Sequence, residues 1–293
     1  NGTYSGNISN NSTSRLPYIN GISYGRNRLH ASWGWRESSA GSSNNHDLNY
    51  AYSDDHGRTW YNNAGTKIGT TGTSSVISIN SPGLIVADIP QNIGLSNQYT
   101  HYAYADGSCH VMVAHSGSYQ HYWRNAAGVW NNAALSFGGS RPKMTGDEDG
   151  NLFLVYTSGG KPRIAKGVPN AGQTAWSWSL VYTQNVSEGG EGQLDYSRWE
   201  TERVLSIYGQ ETPSDSGETP SPLHVFDYKV STKATQPNPA HGADVYDLDA
   251  GLAWSAGLGA STHRVYFGTD RQAVADATTS SPEYQGQQSG TVF

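Results

Sequence analysis

Residues 53–60, Ser-Asp-Asp-His-Gly-Arg-Thr-Trp, constrain the fold of this chain more than any other segment. Asp55 can accept hydrogen bonds from the backbone amides of a tight turn, and Gly57 supplies a backbone that tolerates unusual angles. Thr59 is β-branched and Trp60 has a large ring to bury, so both suit a strand that follows the turn. Because strand-like runs lie on both sides, the octet predicts a tight turn between two antiparallel strands.

The composition narrows the class of protein. The 293 residues include 35 glycines, 19 tyrosines and 9 tryptophans, and only 14% are charged, which is typical of a turn-rich β-protein with many aromatic faces. The net charge of −6 comes without a basic cluster and argues against a nucleic-acid partner. The single cysteine excludes an internal disulfide framework. No apolar run approaches the roughly 20 residues that span a membrane.

The same composition favours an exported protein. Richness in asparagine, serine, threonine, glycine and tyrosine beside one cysteine fits a secreted bacterial protein, with the periplasm or the cell surface as alternatives. The chain starts at Asn1, and from this we expect a mature or trimmed form. We expect it to be a monomer.

Strand-like segments repeat between positions 14 and 230 at a spacing of roughly 45 residues. They form four units of about four strands, and the fourth unit has predicted strands at 194–199, 203–208 and 223–230. A sustained amphipathic helical pattern is missing. We therefore predict an all-β fold, a β-propeller of four-stranded antiparallel blades over residues 1–232. Four units can close a ring, and a larger ring with blades missing upstream is the open alternative.

The character of the chain changes after position 232. Residues 233–243 are rich in proline and small residues and predict a linker. Segments 252–255 and 263–268 resemble two strands of a fibronectin-like sandwich. Such a domain takes close to 100 residues, so we expect residues 244–293 to form only part of one.

Propeller ligands bind at the mouth of the central channel, where the loops entering each innermost strand meet the loops between a blade's second and third strands. Cations, imidazoles and phenols outnumber carboxylates at these positions, which suits an anionic sugar such as a uronate. The positions are Arg15, Arg36, His46 and Asp47 in the first unit; Asn97, Gln98, His101, His115 and His121 in the second; Arg141, Lys143, Lys161 and Arg163 in the third; and Tyr196, Arg198, Tyr208 and Glu211 in the fourth.

Other conspicuous residues have structural interpretations. We expect the tryptophans at positions 33, 35, 123 and 199 to pack between blades rather than to stack on sugars. Cys109 is next to a histidine, but the spacing matches no standard zinc site, so a buried free cysteine is favoured. The loop 146–150 has acidic and carbonyl groups that could hold a structural calcium ion, with a solvated turn as the alternative. We expect no required cofactor.

The segment from 15 to 60 resembles the BNR-repeat propellers, in which the octet 53–60 is called an Asp-box. Within them the chain is most similar to the subgroup of ulvan lyases and related enzymes that act on rhamnose–glucuronate polysaccharides, with support from Gln-His-Tyr-Trp-Arg at 120–124 and Gly-Ser-Arg-Pro-Lys at 139–143. The resemblance implies that Arg36, at the end of a second strand, neutralises the uronate carboxylate. In those lyases a tyrosine lies near the start of the preceding strand. Here that position is Leu16, and Tyr18 is the nearest tyrosine. Those lyases also use a pair of histidines from an earlier blade, and this chain has no counterpart of that pair.

A second resemblance is to sialidases. Arg15-Leu16-Pro17 is similar to their Arg-Ile-Pro motif, Arg36 falls near their second arginine, and Asp47 precedes the Asp-box where their acid/base aspartate lies. A third arginine and a Tyr–Glu pair would have to come from Arg198 and Tyr208 with Glu202 or Glu211. This resemblance implies a glycoside hydrolase.

Together these observations predict a secreted propeller that cleaves an acidic, uronate-containing polysaccharide by β-elimination. The alternatives are a glycoside hydrolase of the same fold and a glycan-binding propeller without activity. The predicted catalytic residues are Arg36, His46, Tyr18 and His121, and the predicted substrate-binding residues are Arg15, Gln98, His101, His115, Arg141, Lys143, Arg198 and Tyr208.

Overall fold

The computed structural model describes residues 15–37, 41–188, 190–212, 220–230, 234–239, 251–257, 260 and 262–293. Its contacts divide the chain into two compact units. Unit 1 comprises Asn1–Gln193 and Gly209–His224, and unit 2 comprises Leu194–Tyr208 and Val225–Phe293.

Unit 1 is built from antiparallel sheets whose strands follow the order of the chain. The first sheet has the order β1-β2-β3-β4-β5, with β6 paired to β3; the second runs from β7 to β10 and the third from β11 to β14. The all-β class and the four-stranded antiparallel sheets are confirmed. The number of blades and the closure of a ring stay predictions. The strands are β1 (Leu16–Gly25), β2 (Arg28–Arg36), β3 (Asn45–Ser53), β4 (Thr59–Tyr61), β5 (Lys67–Thr70), β6 (Ile85–Ala87), β7 (Thr100–Ala103), β8 (Cys109–His115), β9 (Ser118–Arg124), β10 (Trp130–Ala134), β11 (Lys143–Gly146), β12 (Leu152–Ser158), β13 (Lys161–Pro169) and β14 (Trp176–Thr183).

The turn predicted at 53–60 joins β3 to β4, and its hydrogen bonds explain its sequence. The Asp55 carboxylate accepts hydrogen bonds from the amides of Arg58 at 3.1 Å and Thr59 at 2.7 Å. The Ser53 hydroxyl donates to the same carboxylate and accepts from the Gly57 amide. Gly57 has a φ of 81°, in the left-handed region that favours glycine. These bonds hold the carboxylate of Asp55 in its charged form and keep its pKa far below the ordinary value.

The first strands of the three sheets pack side by side, β1 against β7 and β7 against β11. Between β1 and β7 the spacing is small, since a Cβ added at Gly21 would lie 2.5 Å from the Cβ of His101. Beneath them a continuous apolar core contains Val111, Met112 and Leu154, each fully buried. Glycine at position 21 is therefore needed for close packing between two sheets.

Gly21→Ala should lower the free energy of unfolding by about 1–3 kcal/mol, because the added methyl group must push β1 away from β7. The measurement is the urea midpoint followed by tryptophan fluorescence. Gly138→Ala is the matched control, since a Cβ there would make only an ordinary contact, 3.5 Å from the Ser118 Cα. Equal stability of the two variants would contradict the tight packing of β1 on β7.

The fourth predicted unit differs from the expectation at its first strand. A strand was predicted at 194–199, but only β15 (Gln193–Leu194) is extended, and α1 (Tyr196–Glu202) follows it. Asp195 begins the helix because its carboxylate accepts a hydrogen bond from the Arg198 amide at 2.9 Å. The other two predicted strands are present as β16 (Val204–Gln210) and β17 (Leu223–Lys229), and these strands contribute residues to both units.

The C-terminal part of unit 2 contains two small antiparallel pairs. The strands predicted at 252–255 and 263–268 are present as β19 (Ala253–Ser255) and β20 (His263–Tyr266). Part of the predicted linker is instead β18 (Thr235–Asn238), which pairs with β19; positions 240–243 lie outside the described residues. After α2 (Arg271–Ala275), β21 (Tyr284–Gln288) pairs with β20. The fibronectin-like sandwich and the boundaries at 232 and 243 stay predictions. Of the helices in the described part of the chain, none has the length and apolarity to cross a membrane.

Candidate functional site

Charged and polar side chains gather where β1 begins, β2 ends and β3 begins. The pairing of these strands brings the three ends together, since Leu16 lies opposite Arg36 on β2, and Arg36 lies opposite Asn45 on β3. We call this group the Arg36 cluster; its members are Arg15, Tyr18, Arg36, Glu37, Asn45, His46 and Asp47.

Arg36 is half-buried and is held by neutral groups. Its Nε donates to the Asn45 Oδ1 at 2.8 Å, and its Nη1 donates to the Tyr18 hydroxyl at 3.1 Å. The guanidinium also lies over the Tyr18 ring, 4.4 Å from the ring centroid. This contact is possible because Gly34 stands opposite Tyr18 and leaves room for the diagonal neighbour Arg36. Among the described residues no carboxylate makes a salt bridge with Arg36, so its charge is available to an anion.

His46 lies between two carboxylates. Its Nδ1 is 2.8 Å from the Asp47 Oδ2 and its Nε2 is 2.9 Å from the Glu37 Oε1. Burial alone lowers the pKa of His46, but the hydrogen bonds and charges of Asp47 and Glu37 outweigh it and raise the pKa above the ordinary value. A carboxylate at each ring nitrogen favours the protonated imidazole, in which both nitrogens donate.

Glu37 also binds Arg15, so it neutralises two cations of the cluster. The Arg15 Nε donates to the Glu37 Oε2 at 2.7 Å.

In Glu37→Gln the imidazole of His46 keeps only one carboxylate neighbour, and we expect the pKa of His46 to fall. NMR titration of the His46 ring protons measures this, with Glu191→Gln as control because that carboxylate pairs with an arginine instead. An unchanged titration of His46 in Glu37→Gln would contradict the arrangement.

A β-bulge in β3 orients this part of the cluster. Between Trp33 and Trp35 the register on β3 moves from Asn49 to His46, so β3 has one residue more than β2 over this stretch. Asp47 takes up the extra residue with a φ of 58°. Such left-handed backbone at a residue other than glycine is typical of functional sites.

A narrow crevice connects the cluster to the start of the second sheet. Its volume is about 10 Å³, enough for about one water molecule, and Tyr18, Asp47 and Asn97 are among its lining residues. The Asn45 Nδ2 donates to the Leu95 carbonyl at 2.7 Å. These contacts link the polar end of the first sheet to the start of the second.

Arg141 reaches this region from the third sheet. Its Nε donates to the Asn97 carbonyl at 2.8 Å, and its Nη1 pairs with the Glu191 carboxylate at 2.7 Å. Its charge is therefore neutralised within the protein, unlike that of Arg36. Gln98, in the same connection, is exposed with a φ of 58°, and Lys143 is half-buried at the start of β11.

The predicted histidines of the second sheet lie elsewhere. His101 and His121 are inside β7 and β9 and are buried, so neither reaches the Arg36 cluster. The His101 Nδ1 lies 2.7 Å from the Ser32 hydroxyl, and the His121 Nε2 lies 3.0 Å from the His110 Nδ1. His115, at the end of β8, is half-buried with its Nε2 2.9 Å from the Tyr122 hydroxyl.

Four buried histidines of unit 1 are electrically neutral. Burial, with a smaller effect of Arg124, lowers the pKa of His30 to about 4. Burial lowers the pKa of His101 and of His110 to about 3. Burial and the neighbouring His110 hold the pKa of His121 well below its ordinary value. None of these imidazoles carries a charge near neutral pH, and His121 is not placed to exchange protons with a bound sugar.

The remaining predicted substrate contacts belong to unit 2. The Arg198 Nη1 pairs with the Asp227 Oδ2 at 2.6 Å, and its Nε pairs with the Glu202 Oε2 at 3.2 Å. Tyr208 is exposed on β16. A guanidinium bound by two carboxylates is already neutralised, which removes the reason for assigning Arg198 to an anionic ligand.

The sequence predicts the basic residues of the site but not the residues that bind them. Glu37, Asn45 and Glu191 were not singled out, yet they determine the charge of His46, the position of Arg36 and the neutralisation of Arg141. Glu37 directly follows the strand that ends in Arg36, and Asn45 faces Arg36 across the next strand. An inspection of cross-strand neighbours would have found Asn45.

The candidate metal positions are used within the protein. In the loop 146–150 the Asp147 carboxylate accepts hydrogen bonds from the amides of Asp149 and Asn151. Cys109 is a buried free cysteine, and burial raises the pKa of its thiol to about 12. Within the part of the chain that the structure describes, no group of three or more His, Cys, Asp or Glu is arranged to hold a metal ion.

The chain has likenesses to known proteins both in sequence and in structure. No curated protein sequence matches the chain. Similar solved structures include polysaccharide lyase Uly1, with 16% identity over 73% of this chain and 46% of that one and a TM-score of 0.49. A GH32 β-fructofuranosidase from Bombyx mori has 12% identity over 72% and 46% of the two chains and a TM-score of 0.38. A luciferin-regenerating enzyme has 14% identity over 76% and 65%, with a TM-score of 0.40.

These structural likenesses are remote, and the chain spans about half the length of the first two proteins. The sequence evidence is more specific, because residues 2–137 match the model of the BNR repeat-containing family. That range includes the octet 53–60 and the whole Arg36 cluster. Residues 2–137 therefore carry the signature of the BNR repeat-containing family.

Proposed function

We propose that this protein binds an acidic polysaccharide and cleaves it beside a uronate residue by β-elimination. The observation that carries the proposal is the guanidinium of Arg36, which is half-buried and bound by the neutral groups of Tyr18 and Asn45. A guanidinium without a described carboxylate partner attracts an anion and can bind a carboxylate in a fork. The match to a BNR repeat-containing family over residues 2–137 supports a carbohydrate ligand.

In this mechanism Arg36 neutralises the uronate carboxylate and so makes the neighbouring C5 proton more acidic. The Tyr18 oxygen accepts that proton while its own hydroxyl proton passes to the departing glycosidic oxygen. The electron pair of the C5–H bond forms the C4–C5 double bond, and the bond from C4 to the glycosidic oxygen breaks. Tyr18 is a neutral phenol before and after the step, so one hydroxyl group serves as both base and acid. Its hydroxyl lies 3.1 Å from the Arg36 Nη1 and would therefore be close to a carboxylate bound by Arg36.

His46 is a positioning residue in this proposal. Its two nitrogens are occupied by Glu37 and Asp47, so it does not remove the C5 proton. It instead fixes the two carboxylates beside Arg36. A hydrolase would need two carboxylates flanking the scissile bond, and the two carboxylates of the cluster are already engaged by His46.

Further substrate contacts follow the same edge of the sheets. Arg15, Gln98, His115, Arg141 and Lys143 would contact neighbouring sugar units of the polymer. Polymers of this kind lie outside the cell, so the proposal includes a secreted protein that acts as a monomer. Calcium in the loop 146–150 would be structural and would take no part in the elimination.

The test is ultraviolet absorbance during incubation with a panel of uronate polysaccharides, including ulvan and glucuronate-rich gums. Elimination produces an unsaturated, conjugated uronate, so a rising signal would support the lyase and identify its substrate. New reducing ends without absorbance would favour a glycoside hydrolase, including the sialidase-like alternative. Binding with neither product would favour a glycan-binding propeller. The last two outcomes would both overturn the proposed elimination.

A further inference from the structure

A second concave site lies in unit 1, away from the Arg36 cluster. The cavity has a volume of about 350 Å³ and lies against the sheet of β1 to β5. It forms because the chain after β5 folds back over the sheet, held by hydrogen bonds from the Thr70 amide to the Ser75 carbonyl and from the Thr71 amide to the Arg58 carbonyl. We call this cavity the Trp60 pocket.

The walls of the Trp60 pocket are apolar and aromatic. Trp33 and Trp60 contribute indole rings, and Ile22, Val76 and Ile77 contribute aliphatic groups. The Trp60 ring is fixed by a hydrogen bond from its Nε1 to the Thr71 hydroxyl at 3.0 Å. Ile22 is 59% exposed and Val76 is 38% exposed, so the pocket opens to solvent between them.

One hydroxyl group of the pocket has no side-chain partner among the described residues. The Thr71 and Thr73 hydroxyls are used within the loop, since they donate to the carbonyls of Gly57 and Thr70. The Ser75 hydroxyl, by contrast, makes no side-chain hydrogen bond within the described chain. This hydroxyl group is therefore available to a ligand in the pocket.

The pocket is also uncharged. Asp, Glu, Lys and Arg are missing from the fourteen described residues that line it. A carboxylated or sulfated ligand would therefore lose its hydration without gaining a cation. The volume lies within the range of roughly 300–1,000 Å³ that is usual for small-molecule sites. The pocket thus suits a neutral ligand with one apolar face and several hydroxyl groups.

We propose that the Trp60 pocket binds one neutral pyranose unit. The C–H face of the sugar ring packs on the Trp60 indole, and its hydroxyl groups exchange hydrogen bonds with Ser75 and with the His56 imidazole at the rim. The Trp60 pocket thus takes a neutral sugar, whereas the Arg36 cluster suits an anionic one. The proposal does not depend on elimination chemistry and holds for a binding protein as well.

The test uses methyl pyranosides of neutral hexoses and deoxyhexoses, with saturation-transfer NMR and tryptophan fluorescence as readouts. Val76→Phe fills the pocket from its rim, and Trp60→Ala removes its aromatic wall. Each variant should weaken binding of the neutral pyranoside by about tenfold or more. Val129→Phe is the matched control, because Val129 is 55% exposed and lies outside the pocket. Arg36→Ala should leave neutral pyranoside binding unchanged and should weaken binding of glucuronic acid.

Three results would overturn the proposal. The first is that the wild-type protein binds none of the neutral pyranosides. The second is that folded Val76→Phe binds them as well as the wild type does, and the third is that Arg36→Ala abolishes their binding. Circular dichroism verifies folding, and Val76→Phe decides the question if Trp60→Ala does not fold. A wild-type protein that binds the neutral pyranosides but not glucuronic acid would count against the Arg36 cluster and not against the Trp60 pocket.

Discussion

Arg36→Ala should reduce kcat/KM on a uronate polysaccharide by about 10²–10³-fold, the usual effect of removing one group that stabilises transition-state charge. Negative charge accumulates on the uronate carboxylate as the C5 proton leaves, and Arg36 is the cation of the cluster without a described carboxylate partner. Its protein contacts are two hydrogen bonds from a half-buried side chain. The free energy of unfolding should therefore fall by only about 1–2 kcal/mol.

Three further variants make this result specific. Arg36→Lys keeps the charge but loses the fork, and it should recover only part of the activity. Tyr18→Phe keeps the ring under Arg36 and removes the oxygen, so kcat should fall while KM changes little. Arg28→Ala is the matched control, since this guanidinium lies at the other end of β2 and pairs with Asp54. Near-normal turnover by Arg36→Ala would remove the basis for the proposed lyase.

Acidification below about pH 6.5 should destabilise unit 1 steeply. His30, His101, His110 and His121 are buried and neutral, and burial lowers the pKa of each. The unfolded chain binds protons at these positions near pH 6.5, whereas the folded chain does not until about pH 4 or lower. Stability therefore falls with decreasing pH, by about 1.4 kcal/mol per pH unit for each histidine. Four such groups can remove a typical stability of 5–15 kcal/mol within a few pH units.

Urea denaturation at a series of pH values from 7 to 5 measures this slope. His101→Gln should lower stability at pH 7 and reduce the acid slope by about 1.4 kcal/mol per pH unit. His46→Gln is the control, because His46 should change the pH dependence of stability in the opposite direction. The pKa of His46 is raised, so its contribution to stability is complete below the unfolded pKa and is lost as pH rises through the folded one. A flat stability between pH 6.5 and 5 would show that the four histidines are not neutral in the folded protein.

The sequence predicted the repeating strands well, because alternation and turn residues are local signals. The strands predicted at 203–208 and 223–230 are present as β16 and β17, and the octet 53–60 forms its turn with Asp55 as the acceptor. Segment 194–199 was predicted wrongly because its apolar and aromatic residues suit a strand, while Asp195 starts a helix instead. One capping carboxylate outweighed the pattern around it.

The sequence predicts which basic residues lie at the candidate site, but not which of them are paired with carboxylates. Arg36 and His46 were selected from their positions near strand ends. The contact of His46 with Glu37 depends on the strand register, which puts His46 opposite Trp35, two residues before Glu37, and no residue-by-residue pattern reveals that register. His101 and His121 were placed at a channel mouth because of their sequence position, but their strands extend past them and bury both side chains.

The extra residue in β3 gives this corner a second carboxylate for His46 without moving Asn45 from its place opposite Arg36. Deleting Asp47 would let β2 and β3 advance in step, with Trp35 still opposite His46 and Arg36 still opposite Asn45. Arg36 would keep its amide partner, whereas the imidazole would lose the carboxylate at its Nδ1. A one-residue deletion here should therefore weaken the hold on His46 and leave the anion site at Arg36 in place.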